Sequence, residues 1–248
     1  PWEWTEGLQK VAEEEGITLF SSPFDFSSIE FLEKLNMPAY KIASPEMIDL
    51  PFVRRVAQTG KPIIMSTGGA TLDQIKEAVA VIVEEGVEDF AILKCTSEYP
   101  APPSKINLKT IQDLKDIFKC IVGLSDHTLG SAIPIASVGL GASIIEKHFI
   151  VSRDDTTADS FFSATPKEFK LLVDSVRTVE KAIGKVSYPI EESEPKRCLI
   201  VINDVKKGDL LSNNNIKSLR PGGGIEPKHF DQIVNQYKAL RDISKGTL

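Results

Sequence analysis

Six short apolar runs recur along the first part of the chain, and each gives way to small polar residues before an amphipathic stretch begins. The runs are ITLFSS (17–22), AYKIAS (39–44), KPIIMST (61–67), FAILKCTS (90–97), CIVGLSDH (120–127) and ASIIEKHF (142–149). Between them lie SSIEFLEKLN, LPFVRRVAQTG, TLDQIKEAVAVIVEEG, NLKTIQDLKDIF and IPIASVGLG, whose apolar spacing predicts helices. Gly16, Gly60, Gly86 and Gly141 stand where those helices stop. Strands this short and this continuously apolar suit a parallel sheet buried on both faces. A spacing of about 22 to 30 residues between runs matches compact βα units. A long helix, PKEFKLLVDSVRTVEKAIG (166–184), follows the sixth unit. Ahead of the first run, PWEWTEGLQKVAEEEG also reads as a helix, with Trp4, Leu8 and Val11 on one face.

Two architectures accept such a pattern: a doubly wound open sheet and a (β/α)8 barrel. No G-x-G-x-x-G phosphate fingerprint follows any run, which counts against the dinucleotide-binding sheet. The run ends are consistently polar: Ser22, Ser44, Ser66, Thr96, Ser125 and His148. In a barrel those C-terminal ends converge on one face, where active sites sit. The pattern therefore favours an α/β TIM barrel of which six units are present, the chain starting in the helix before the third strand.

Beyond residue 185 the texture changes. The expected division is a barrel domain over 1–185, a polar linker over 186–195, and a small β-rich module over 196–248, with a strand near Leu199 to Ile202. A module of that size is marginal alone and is expected to dock on a partner surface.

Composition narrows the classes. Hydrophobic residues make up 42% and charged residues 26% of 248, ordinary globular values. The net charge of −6 argues against nucleic-acid binding. No run is long enough to span a membrane, and no signal peptide is visible. Cys95, Cys120 and Cys198 are odd in number and read as reduced thiols of a cytoplasmic protein.

Few residues carry candidate chemistry. His127 and His148 close adjacent runs and would face one mouth, within reach of a divalent ion, with Asp126 and Asp159 as oxygen donors in reserve. Mixed nitrogen and oxygen ligation suits Mn2+ or Mg2+ better than a closed zinc site. The hydroxyls of Ser22, Ser44, Ser66, Thr96 and Ser125, joined by the Lys41 ammonium, form a ring fit for a phosphate. Helix capping explains the same hydroxyls. Glu46 reads either as a base near a sugar or as a helix-start carboxylate, and Tyr99 either as a lid over the mouth or as a packed loop aromatic. Arg220, on the glycine-rich SLRPGGGI loop, is placed to fork onto a carboxylate, or is a plain turn arginine. His229 reads as surface. A Schiff-base aldolase using Lys41 or Lys147 is a further alternative on the same scaffold.

SSPFD, YKIASPE, PIIMSTGGA, LKCTSEYPAPP, GLSDHTLG, IEKHF and SLRPGGGIEP, in this order over essentially the whole chain, resemble the sialic acid (nonulosonic acid) synthase family. KIASPE, the DSFFS segment with its following PKEFK, SSPFD and RPGGGI favour the pseudaminic branch, and the N-acetylneuraminate and legionaminate branches are the alternatives. The resemblance implies a transferase that condenses phosphoenolpyruvate with a 2,4-diacetamido-2,4,6-trideoxy hexose, giving a nonulosonic acid and phosphate by C–O cleavage. It implies Mn2+, with Mg2+ or Co2+ as substitutes, on His127 and His148. It places phosphoenolpyruvate on Ser22, Lys41, Ser44, Ser66 and Ser125, and the acceptor near Glu46, Ser97, Tyr99 and Asp159. It assigns the C-terminal module to the antifreeze-like SAF class, sending Arg220 into the barrel of the other subunit of a domain-swapped homodimer. Ser22 and Ser97 stand where some relatives carry Thr and Asn. The family has two earlier strands, one bearing a glutamate and one a lysine, that do not appear in these 248 residues. The expectation follows that the chain alone has little synthase activity, or only binds ligand.

Overall fold

The computed structural model describes residues 2–154, 157–188, 196–220 and 222–248. The described chain divides into two compact units, Pro1–Gly184 and Lys185–Leu248. Of the expected linker, residues 189–195 lie outside the described residues.

The first unit is a parallel sheet in the order β1-β2-β3-β4-β5: Tyr40–Ile42, Ile63–Ser66, Phe90–Cys95, Ile121–Asp126 and Ile144–Lys147. Sequential neighbours pair in register, as a barrel requires. Helices α1 (Thr5–Glu14), α2 (Phe26–Lys34), α3 (Leu50–Ala57), α4 (Leu72–Glu84), α5 (Thr110–Phe118), α6 (Ala132–Gly139) and α7 (Pro166–Ile183) alternate with the strands.

Local chemistry sets the helix starts. Asp25 accepts from the Ser28 amide while Ser28 bonds back, and Thr71 with Gln74 does the same for α4. Thr165 and Glu168 close a third such box at α7, where Pro166 fills a position that needs no amide donor. One face of each of β1 to β4 and one face of each of α2 to α5 build the core around Tyr40, Ile42, Met65, Ile82, Ile92 and Leu124.

Two expectations need correction. ITLFSS does not form a strand; only Ser21 makes a single parallel bridge, to Tyr40. Five strands and one bridge therefore stand where six strands were expected. The helix at the front does form, but it buries nothing. Trp4, Leu8 and Val11 stay exposed, while Trp2 stacks on Phe31 and Gln9 donates to the Leu35 carbonyl. Amphipathic periodicity makes the helix, and a partner surface is what would bury its stripe.

The second unit holds an antiparallel pair, β6 (Cys198–Val201) and β7 (Ile216–Leu219), and the short α8 (Phe230–Ile233). Val201, Val205 and Ala239, with Leu211 and Ile243, form its small core. Cys95 and Cys120 are free thiols; Cys95 and Cys198 are buried and Cys120 half-buried.

Candidate functional site

Alternate side chains of a strand face opposite sides of its sheet. Tyr40, Ile42, Ile63, Met65, Ile92, Val122 and Leu124 turn to the helices. The residues interleaved with them line a cavity of about 220 Å3 at the C-terminal ends of the strands. Its wall holds Ser22, Lys41, Ser44, Ser66, Ser125, His127 and His148, and also Cys95, Tyr99 and Glu146. The pairing explains the convergence: Cys95 lies opposite Ser125, and Ser125 opposite Glu146.

Lys41, nearly buried, sits 3.5 Å from Glu146 Oε2, and Ser125 Oγ donates to Glu146 Oε1 at 2.6 Å. The Gly68 amide donates to Ser44 Oγ at 2.9 Å. A side chain at Gly68 would meet Ser97 Oγ at 2.1 Å and Ser44 Oγ at 2.9 Å, so only glycine lets this loop approach both hydroxyls. Ser66 Oγ and Glu46 Oε2 are buried without a partner among the described residues. Native folds rarely leave such oxygens bare; Ser66 lines the cavity, where a ligand can meet it, whereas Glu46 is not among the lining residues.

The two imidazoles lie edge to face with ring centres 5.2 Å apart. His127 Nδ1 is 2.9 Å from the Thr96 carbonyl and donates to it, since a carbonyl can only accept. His148 Nδ1 is 3.4 Å from Asp159 Oδ2. An oxygen acceptor at Nδ1 is how metal-binding histidines are oriented; it turns His127 Nε2 toward Cys95 in the cavity. No three His, Cys, Asp or Glu side chains group as a cage among the described residues. Two imidazole nitrogens facing one cavity are therefore what the described residues would offer a divalent ion. Tyr99 covers His127 at 4.3 Å between ring centres, and buried Phe162 lies 4.8 Å from His148.

Burial pushes the Cys95 thiol up, but hydrogen bonds with His127 and Ser44 outweigh it and bring it down to about 7. Burial pushes His127 down, yet its bonds to Cys95 and the Thr96 carbonyl hold it above the ordinary histidine value. His148 goes the other way, lowered by burial and by the neighbouring His127. Groups with opposed shifts in one cavity mark a site built for chemistry.

The remaining sequence candidates fall as follows. Asp159 reaches His148 and Ser97 Oγ packs against Gly68, but neither is among the residues that line the cavity. Asp126 does not reach the cavity, because Lys147 holds it on the opposite face of the sheet at 2.6 Å. That pairing also removes Lys147 as a Schiff-base amine, which must be uncharged and face the substrate. Arg220 is exposed just after β7 in the second unit.

Glu146, Cys95 and Phe162 were not singled out from the sequence. Glu146 and His148 are two apart in IEKH, so the period of a strand was the available signal for Glu146. A larger cavity, about 700 Å3, opens at the strand starts around Ile64, Ala91, Ile121 and Ile144. No histidine or nucleophilic cluster converges there, so the smaller polar cavity is the functional candidate.

A curled parallel sheet whose strand ends gather an ammonium, hydroxyls, a carboxylate and paired imidazoles defines a TIM-barrel-like chain with a polar cavity at those ends. The chain belongs to the NeuB family, which it matches over residues 1–188, and it carries a SAF domain over residues 196–248. It is 42% identical to the pseudaminic acid synthase of Campylobacter jejuni over 251 residues, which cover 99% of this chain and 73% of that protein. It is 38% identical to the N,N'-diacetyllegionaminic acid synthase of the same species, covering 89% and 68% of the two chains. Among solved structures, the N-acetylneuraminic acid synthetase of Leptospira borgpetersenii superimposes with a TM-score of 0.74 at 31% identity, covering 78% of this chain and 67% of that one.

Proposed function

We propose that the chain carries the phosphoenolpyruvate-binding mouth of a nonulosonic acid synthase, with the pseudaminic type as its acceptor class. One observation carries the reading: Lys41, Ser44, Ser66 and Ser125 share a single cavity with His127, Glu146 and His148. The relatives that bear the synthase names are similar over nearly the whole chain.

In this reading Lys41 and the three serines hold the anionic donor. A desolvated ammonium with hydroxyls around it binds phosphate or carboxylate by charge-assisted hydrogen bonds. Glu146 keeps Lys41 aimed into the cavity. His127 and His148 would hold the divalent ion, Mn2+ by their donor type, and when bound it supplies Lewis-acid polarisation of the acceptor aldehyde. Carbon 3 of phosphoenolpyruvate then bonds to the aldehyde carbon, whose oxygen takes a proton. Water adds at carbon 2 and gives up both its protons as the ketone forms, one offsetting the proton taken by the aldehyde oxygen and one going to the phosphate, which leaves with the bridging oxygen. Tyr99 and Phe162 shield this step from bulk water, and Asp159 keeps His148 turned inward. Arg220 would serve the cavity of a second copy.

The test is turnover with phosphoenolpyruvate bearing 18O in the bridging position, Mn2+ and the diacetamido hexose. Label in the released phosphate supports the reading; label retained in the sugar acid overturns it. For the two-copy arrangement, mixing His148→Ala and Arg220→Ala variants restores activity that neither has alone, and no restoration removes that part.

A further inference from the structure

Outside the cavity, the best-buried charges of the first unit are Asp126 and Lys147, whose side chains are 0% and 4% exposed. Asp126 is the last residue of β4 and Lys147 the last of β5, and the two are directly paired in register. His127 and His148 are the next residue on each strand. They lie just beyond the β4–β5 ladder, so strand pairing does not fix the distance between them. Alternation sends Asp126 and Lys147 to the helix side and the two histidines to the cavity side.

The buried pair is closed on itself. Asp126 Oδ2 accepts from Lys147 Nζ at 2.6 Å, and Asp126 Oδ1 accepts from Thr128 Oγ1 at 2.8 Å and from the Thr128 amide at 3.1 Å. Lys147 Nζ also donates to the Thr128 carbonyl at 2.7 Å. Thr128 is itself fully buried. His127 is therefore tied down on both sides, and His148 on one, through a single network.

A desolvated ion pair contributes little stability over an apolar pair of similar volume, so stability alone is a poor reason to build one. Its directional bonds do something an apolar pair does not: they set two strand ends at one separation. We propose that Asp126, Lys147 and Thr128 are positioning residues which fix the spacing of the His127 and His148 imidazoles for a divalent ion. The proposal rests on the metal reading above, and its test separates the two.

The experiment compares the full chain with an Asp126→Leu, Lys147→Met double variant. Free Mn2+ is read by electron paramagnetic resonance, and the histidine ring protons of metal-free protein by NMR. The expected result is a folded double variant with Tm at or above the parent, and a Mn2+ dissociation constant ten- to a hundredfold higher. In the metal-free protein the His127–His148 ring contact should be lost, while His229, in the other unit, does not move. Mn2+ affinity within twofold of the parent, with unchanged ring contacts, overturns the positioning role. A parent that binds no Mn2+ overturns the metal reading instead, and the ring contacts still decide the positioning role. Should the double variant not fold, Thr128→Val keeps the volume and removes one donor to Asp126. A several-fold weaker Mn2+ affinity then supports the role, and parental affinity with parental ring contacts contradicts it.

Discussion

The two faces of the same strand ends differ in what their charges do. On the cavity side, Lys41 and Glu146 meet at 3.5 Å, Glu146 is more than a third exposed, and the Ser66 hydroxyl has no partner among the described residues. On the helix side, Asp126 and Lys147 meet at 2.6 Å with every bond returned within the protein. A charged pair left loose and half wet is available to a ligand. A pair that is dry and bonded within the protein is available only to the fold. The contrast is the physical basis for proposing the first pair as binding residues and the second as positioning residues.

The largest expected effect is on the helix side. Lys147→Met strands a buried carboxylate and should cost about 3 to 5 kcal/mol of stability, read as a fall in the urea midpoint. Lys41→Met, one face away, should leave that midpoint nearly unchanged. It should weaken phosphoenolpyruvate binding by about 2 to 3 kcal/mol, the worth of a charged hydrogen bond, measured by calorimetric titration. Equal stability losses for the two lysines would erase the distinction between the faces.

Between these faces sits Gly123, where a Cβ would lie 2.3 Å from the Ile144 carbonyl and 2.6 Å from Leu93 Cδ2. Gly123→Ala forces β4 away from β5 and should cost roughly 1 to 3 kcal/mol by denaturant unfolding. It should also weaken Mn2+ binding, since the strands it separates carry the two histidines.

The smallest effect is at the surface. The Thr165 amide and Arg153 hold the Glu168 carboxyl below its ordinary value, and the Ser28 amide with Ser27 does the same for Asp25. Carboxyls lowered in the fold stabilise it fully above their unfolded values near 4, and that contribution fades as pH drops below them. Glu168→Gln should cost roughly 0.3 to 1.5 kcal/mol at pH 7, and the cost should shrink as pH falls below 4. A difference that grows in acid would contradict the sign.

Much of this was legible in the sequence. The βα rhythm gave the strands at Tyr40, Ile63, Phe90, Ile121 and Ile144, and the polar run ends gave the mouth. Three things escaped. ITLFSS has the composition of a strand, but a strand needs a neighbour, and Ser21 finds only one bridge. Asp126 looked like a spare ligand because a sequence shows that a residue adjoins His127, not which face it takes; alternation puts neighbours on opposite sides. Glu146 lay hidden in IEKH, read as the approach to His148, although its spacing from that histidine places both in one cavity. Register across strands, which brings Ser125 onto Glu146, is set by tertiary pairing rather than by any local pattern.

The central claim is that the strand-end cavity binds phosphoenolpyruvate through Lys41. Calorimetric titration of phosphoenolpyruvate into the chain in the presence of Mn2+, beside the Lys41→Met variant, tests it most directly. One site per chain, with roughly thirty- to a hundredfold weaker binding in the variant, is the expected result. Indistinguishable isotherms for the two proteins would contradict it.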